Sequence, residues 1–153
     1  MSPQPKVSVI VPTFNRRVLL ARALASLRAQ TFTDFEVVVV DDGSTDGTAE
    51  ALAAEPPERF RCIRLDRNRG QSAARNIGVR AAQGRLLAFL DSDDEWMPEK
   101  LAHQVAQLEG QPGLAMVYGD LLRVPLLGPP RVLAAPDLVR GRIMDGRLSL
   151  IHI

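Results

Sequence analysis

The chain has 153 residues, 46% of them hydrophobic and 24% charged, and a formal net charge of +1. That length makes about one domain, large enough to bury roughly 70% of its unfolded surface without disulfides, and the charge balance lacks the basic footprint that nucleic-acid binding needs. No apolar run approaches roughly 18 residues, and a short polar start leads at once into a strand pattern, so neither a membrane span nor a signal peptide is expected. The chain reads as soluble and cytoplasmic, or at most bound peripherally at the cytoplasmic membrane face.

In chain order, residues 7–11 are β-branched except for Ser8 and are stopped by Pro12, which predicts a first strand. Thr13, Phe14 and Asn15 form the loop at its carboxyl end. Leu20, Ala23, Leu24 and Leu27 recur at helical spacing and predict a helix over 16–30, with Asn15 as its N-cap. Residues 35–40 include four successive valines, the pattern of a strand covered on both faces as in parallel sheets, and end in Asp41 and Asp42. The turn 43–47 is rich in capping residues and opens an Ala-rich helix that Pro56 and Pro57 stop.

A third strand is predicted over 60–65 and is closed by Asp66. Within it stands the single cysteine, Cys62, which excludes a disulfide inside the chain; its alternating apolar surroundings predict a buried structural thiol in a reducing compartment. After the polar loop 67–71, Ser72 can N-cap a helix whose Ala74, Ile77, Gly78 and Ala81 give a small-residue face for close packing on a sheet, and Gly84 ends it. Residues 86–90 are a short continuous apolar run, a strand buried on both faces, and end abruptly in Asp91, Ser92, Asp93 and Asp94. Pro98 stands at the first position of a further helix with Leu101, Val105 and Leu108 as its buried stripe. A fifth strand over 114–118 is again followed by an acid, Asp120.

Strands alternating with helices of about ten residues call for right-handed crossovers, hence an α/β fold with a mainly parallel sheet flanked by helices. In such sheets ligands bind outside the carboxyl ends of the strands. Asp41, Asp42, Asp66, Asp91, Asp93, Asp94 and Asp120 all fall at that one edge. Two unit charges about 5 Å apart repel by roughly 3 kcal/mol at an effective dielectric near 20, so the 91–94 acids require a positive partner. A solvated acidic turn would explain one such cluster but not acids confined to successive strand ends. A divalent cation held by one or two carboxylates and substrate phosphates explains both.

Arg67, Arg69 and Arg75 surround a glycine-containing loop leading into a helix N-terminus, an arrangement able to receive phosphate oxygens through backbone N–H groups and guanidinium forks. Phe14 could cover a base or cap the core, and Asp41 and Asp42 could accept from a base or ribose, or Asp42 could form the turn with Ser44. His103, off the apolar stripe of its helix, and His152 are expected to face solvent.

Four ordered segments, VSVIVPTFNR (7–16), VVVVDDGSTDGT (37–48), NRGQSAARNIG (68–78) and LDSDDEWMPEKL (90–101), together resemble the family 2 glycosyltransferases, enzymes of the GT-A fold. The resemblance covers residues 7–120, the expected donor-binding portion, and leaves 121–153 as the start of an acceptor-side region. It implies that Pro12, Thr13, Phe14 and Asn15 bind the nucleotide, with Asp42 facing a base N–H and Asp41 its neighbour in the pocket. It implies that Gly70, Ser72, Arg75 and Asn76 belong to the segment over the nucleotide, and that Asp91, with Ser92 beside it, lies near the ribose. Asp93, with Asp91, would hold Mn²⁺ or Mg²⁺ on the diphosphate.

The implied reaction is inverting transfer of a sugar from a nucleotide diphosphate, with UDP the expected nucleotide, to an acceptor hydroxyl of a glycan, lipid or protein in polysaccharide biosynthesis. The departure from the family's pattern is the acceptor-side base. The stretch 121–153 is broken by prolines, and its acids, Asp137 and Asp145, lie in no recognisable base motif. It ends in an apolar run over 149–153 that looks like a strand cut short, an unfinished sheet edge that would invite an oligomer. The alternative is a nucleotide-sugar binding or assembly module without that base. A phosphate-receiver module would need the Asp pair after the first strand. A haloacid-dehalogenase-type phosphatase would need its Asp-x-Asp there, followed by a Thr.

Overall fold

A computed structural model of the chain describes residues 4–111, 113–118, 121–123, 131–133 and 149–152. Strand β1 (Val7–Thr13) lies parallel to β2 (Phe35–Asp41), which lies parallel to β3 (Phe60–Arg64); on its other side β1 pairs in parallel with β4 (Leu86–Phe89). Helices α1 (Arg17–Arg28), α2 (Thr48–Leu52), α3 (Gln71–Ala81) and α4 (Lys100–Gly110) fall in the crossovers between the strands, with α4 leading to β5 (Met116–Tyr118). Strands β6 (Leu121–Arg123) and β7 (Arg131–Leu133) form a separate antiparallel pair, and β8 (Ser149–His152) completes the main sheet.

Among the described residues that sheet has six strands in the order β3-β2-β1-β4-β8-β5, all paired in parallel. The run at 149–152 is therefore not an open edge. It is an internal strand between β4 and β5, and the expected unfinished edge is corrected: Ile151 aligns with Ala88 on one side and Val117 on the other. Among the described residues no helix is long and apolar enough to cross a membrane.

Alternation along the strands sorts the core into two layers. Val7, Val9 and Val11 of β1 and Val37 and Val39 of β2 face the layer holding Leu20, Leu24 and Leu27 of α1 and Leu101, Val105 and Leu108 of α4. Ile10, Val38 and Val40 face the opposite layer with Ala74 of α3. The small-residue face expected on α3 serves close approach: a Cβ on Gly78 would stand 2.4 Å from Ile10 Cγ2, so only glycine lets the helix lie this near the sheet. Burial on both faces explains the valine run without polar interruption.

Cys62 departs from expectation. Strand β3 is at the end of the strand order, and the Cys62 side chain is exposed there instead of buried.

Candidate functional site

The sheet grows from β1 toward β2 and β3 on one side and toward β4 on the other, so the strand order reverses between β1 and β4. At such a switch point the loops leaving neighbouring strands diverge and open a crevice. A cavity of about 250 Å³ lies there. Pro12 and Thr13 at the end of β1 wall it with Phe14 and Arg16 just beyond, Asp42 after β2 and Ser92 after β4. Asn68, Gly70, Gln71 and Ala74, from the loop and first turn of α3, close the remaining side.

Asn15 explains how the chain turns out of β1. It adopts φ +50°, a left-handed backbone that asparagine tolerates, instead of acting as the N-cap of α1. Its N–H donates to Ser44 Oγ at 2.9 Å, and its Oδ1 accepts from the Thr45 N–H at 2.8 Å. The capping comes from a distance: Asp46 Oδ2 accepts the Arg17 N–H at 2.9 Å, while its Oδ1 accepts the Thr48 N–H at 3.1 Å. One carboxylate thus serves the first residues of both α1 and α2. Hydrogen bonds from Thr48 and Arg17 hold its pKa below the usual carboxylate value.

Asp42 organises the opposite wall. Its Oδ1 accepts the Arg69 N–H at 2.7 Å and its Oδ2 the Gly70 N–H at 2.8 Å, and the residue is 3% exposed. The loop can lie this close because Gly43, at φ +79°, has no Cβ; one placed there would come within 2.8 Å of the Arg67 carbonyl carbon. These bonds revise the expectation that the loop's backbone amides receive phosphate, since the Arg69 and Gly70 N–H groups are bound to Asp42. Arg69 is also engaged, its guanidinium pairing with Asp66 at 2.8 Å.

Asp41, by contrast, lies outside the cavity wall. It is fully buried, with Oδ1 accepting the Ser44 N–H at 3.0 Å and Oδ2 standing 3.8 Å from Arg64 Nε without a hydrogen-bond partner. Asp41 rather than Asp42 forms the turn with Ser44.

The acids after β4 carry their own counter-ions. Asp91 Oδ1 accepts from Gln71 Nε2 at 3.0 Å and pairs with Arg75. Asp93 Oδ2 pairs with Arg16 NH1 at 2.6 Å, and Glu95 pairs with Arg22. Burial, together with the Asp93 and Asp91 carboxylates, pushes the Asp94 carboxyl up from its usual value, and Arg16 opposes the shift. The segment that follows is fastened to α1: Ser26 Oγ accepts the Trp96 N–H at 3.1 Å, Gln30 Nε2 donates to the Met97 carbonyl at 2.8 Å, and Gln30 Oε1 accepts the Leu101 N–H at 3.1 Å. Gln30 also orients α4 by capping one of its first amides.

The structure gathers Pro12, Thr13, Phe14, Asp42, Gly70 and Ser92 in one wall and places Asp91 against the wall residue Gln71 and Asp93 against Arg16, with Arg75 paired to Asp91. Asn15 lies behind the wall as a backbone brace. Ser72 and Asn76 are exposed on α3, outside the wall, and the cap of that helix is Gly70 instead of Ser72. His103 faces solvent. Asp120, Asp137 and Asp145 lie outside the described residues. Sequence reasoning missed Arg16, Asn68, Gln71 and Ala74. Arg16 and Asn68 did carry a signal, each lying within a motif at a strand end.

A cation would find a partial donor set here. Among the described residues no group of three or more His, Cys, Asp or Glu side chains is placed to hold a metal ion by itself. Asp91 and Asp93 are nevertheless two carboxylates on one short segment, and each rests against an arginine. Such a set fits a hard divalent ion whose remaining ligands are phosphate oxygens.

The parallel α/β sheet flanked by helices is shared with solved GT-A glycosyltransferases such as S. aureus TarS. The family model for glycosyl transferase family 2 matches residues 8–124, and the chain belongs to that family. It is 45% identical over 105 residues to the succinoglycan biosynthesis protein ExoO of Rhizobium meliloti, a match covering 69% of this chain and 30% of that protein. The structure of S. aureus TarS residues 1–349 in complex with UDP-GlcNAc superposes with a TM-score of 0.71 at 32% identity, covering 82% of this chain and 37% of that one. The mannosyltransferase PcManGT of Pyrobaculum calidifontis, in complex with GDP-Man and Mn²⁺, superposes with a TM-score of 0.70 at 32% identity, covering 80% and 37%. This chain thus spans about a third of the length of these relatives.

Proposed function

We propose that the chain is the donor-binding portion of an inverting glycosyltransferase that takes a sugar from a nucleotide diphosphate, with UDP the preferred nucleotide, and passes it to an acceptor hydroxyl. The observation that carries the reading is the juxtaposition at the switch-point cavity. On its base side stand Phe14, the buried Asp42 carboxylate and Thr13, whose buried hydroxyl has no partner. Joined to the cavity wall through Ser92, Gln71 and Arg16 is the Asp91 and Asp93 pair with its arginines. A ligand aromatic at one end and anionic at the other matches that polarity.

Each residue then has a task. Phe14, 41% exposed, offers a ring face to the base. Asp42 keeps lone pairs free after binding the 69–70 amides, since a carboxylate has about four acceptor sites, and can accept a base N–H. Thr13 supplies a hydroxyl. Asp91 reaches the ribose, and Arg75 with Gln71 orients it. Asp93, with Asp91, would hold Mn²⁺ or Mg²⁺, which when bound stabilises the charge that develops on the departing diphosphate. The protein side excludes water and fixes the leaving group for displacement at the anomeric carbon.

The cation-bound and UDP-sugar-bound neighbours and the polysaccharide role of the relative support this reading of donor, cofactor and pathway class. The acceptor is a glycan, lipid or protein hydroxyl, reached in the cytoplasm or at its membrane face.

The test is titration calorimetry of the chain with UDP, GDP and dTDP, each with Mn²⁺ and with chelator. Binding of UDP, tighter than the other two and dependent on Mn²⁺, is expected; no binding of any of the three overturns the donor-site reading. Tight binding without hydrolysis of any UDP-sugar in a panel would mark a nucleotide-sugar binding module instead of an enzyme.

A further inference from the structure

Resting on the donor-site reading above, we propose that Arg16 is the resident counter-ion of Asp93. In the donor-free protein its guanidinium occupies the carboxylate that a divalent cation would take, and on donor binding it exchanges that carboxylate for a phosphate oxygen of the nucleotide diphosphate.

Three observations carry this. First, Arg16 has a side in each environment: it belongs to the cavity wall, yet its NH1 lies 2.6 Å from Asp93 Oδ2. Second, the pair is easily parted. The two side chains are 46% and 43% exposed, and exposed ion pairs contribute little because water solvates the separated charges almost as well. The Arg75 and Asp91 pair is more buried, at 32% and 34%, and is reinforced by Gln71, so it is the one built to stay. Third, the backbone beneath Arg16 is fixed. Asn15 is pinned on both its N–H and its side chain to the 44–45 turn, and the Arg16 carbonyl accepts the Leu20 N–H at 2.8 Å. Only the side chain is free to swing.

The exchange conserves charge pairing throughout. A cation alone must displace a guanidinium and leave it unpaired in the wall, whereas a cation arriving with a diphosphate gives that guanidinium a new anion whose oxygens match its planar fork. Metal and nucleotide therefore bind cooperatively through Arg16, and linkage makes the effect equal in both directions.

Arg22 and Glu95 provide the internal control, an exposed pair joining α1 to the segment after β4 that takes no part in the cavity wall. Mn²⁺ affinity would be measured by electron paramagnetic resonance on the chain alone and again with saturating UDP, for wild type, Arg16→Gln, Arg16→Lys and Arg22→Gln. Removing the competing charge in Arg16→Gln should tighten Mn²⁺ alone by about two- to five-fold. The factor by which UDP tightens Mn²⁺ should fall by about tenfold or more, since a charge-assisted contact to phosphate is lost. Arg16→Lys keeps the charge, so its Mn²⁺ affinity alone should stay near wild type while part of the coupling is lost. Arg22→Gln should change neither quantity.

A merely structural role for Arg16 would weaken Mn²⁺ binding in Arg16→Gln, and that result, or an unchanged affinity, overturns the inference while leaving the donor site standing. An equal shift in Arg22→Gln also overturns it. A wild type that binds neither Mn²⁺ nor UDP overturns both the donor-site reading and the inference.

Discussion

Asp42 offers the sharpest test of how the crevice is built, because one buried side chain holds a whole wall in place. Asp42→Ala removes the acceptor for the Arg69 and Gly70 N–H groups, at 2.7 and 2.8 Å. Hydrogen bonds to a charged acceptor contribute about 1.5–3 kcal/mol each. The sum here falls below even the low end of that range, because Arg69 is exposed and its amide can turn to water, while the Gly70 N–H retains Asn68 Oδ1 at 3.1 Å. The expected cost is about 2 kcal/mol in total, a fall of roughly 4–8 °C in Tm for a chain of this size. Asp42→Asn keeps one acceptor oxygen and should lose about half as much. Urea denaturation gives the stability, and amide hydrogen exchange read at Arg69 and Gly70 gives the mechanism, since both should lose protection selectively. A change below about 0.5 kcal/mol, with those amides exchanging as in the wild type, would refute the idea that Asp42 clamps the loop.

Further predictions follow from the core and from α4. Gly78→Ala should destabilise by about 1–3 kcal/mol in urea denaturation despite alanine's better helix propensity, because the new methyl meets Ile10 Cγ2 at 2.4 Å; a stabilised variant would contradict the packing. Gln30→Leu removes the acceptor of the Leu101 N–H and leaves the Met97 carbonyl with the Lys100 N–H alone, and should cost about 1–3 kcal/mol with an unchanged m-value; a neutral effect would show that this buried amide is dispensable. Lys100 sits over the Trp96 ring, and burial lowers its pKa from the usual 10.5 to about 8. The unfolded chain then binds more protons than the folded one between those values, so this residue makes stability rise from pH 8 toward 10.5. The stability difference between Lys100→Met and wild type should shrink over that window, and a constant difference would refute the shift.

The repeating strand and helix pattern made the fold class legible in sequence. Valines in unbroken succession mean a strand covered twice, and Ala74 and Gly78 mark a helix brought close. Strand order was less accessible. Nothing local distinguishes an apolar run that ends a sheet from one inserted within it, so β8 read as an edge although it lies between β4 and β5. The same ignorance of neighbours put Cys62 in the core, whereas among the described residues β3 has a strand on only one side.

Within the site, the motifs located the residues but not their partners. Asn15 has the composition of a cap, yet the cap of α1 comes from Asp46, far along the chain, because the 43–47 turn folds back beneath it. Asp41 and Asp42 are adjacent and chemically identical, and only the alternation of β2 decides that one lies under the turn and the other in the crevice wall. Arg16 escaped notice for the same reason, since its partner Asp93 lies on another loop.

The central claim, that the acids after β4 and the cavity beside them form one donor site, is tested most directly by titrating UDP into wild type and Asp93→Ala in Mn²⁺ and in chelator. Asp93 stands exposed beyond the end of β4, so the variant should fold normally by circular dichroism. Wild type should bind UDP much more tightly with Mn²⁺ than without, and Asp93→Ala should bind it equally weakly in both. An Asp93→Ala chain that keeps the full Mn²⁺-dependent affinity would place the cation elsewhere and contradict the account.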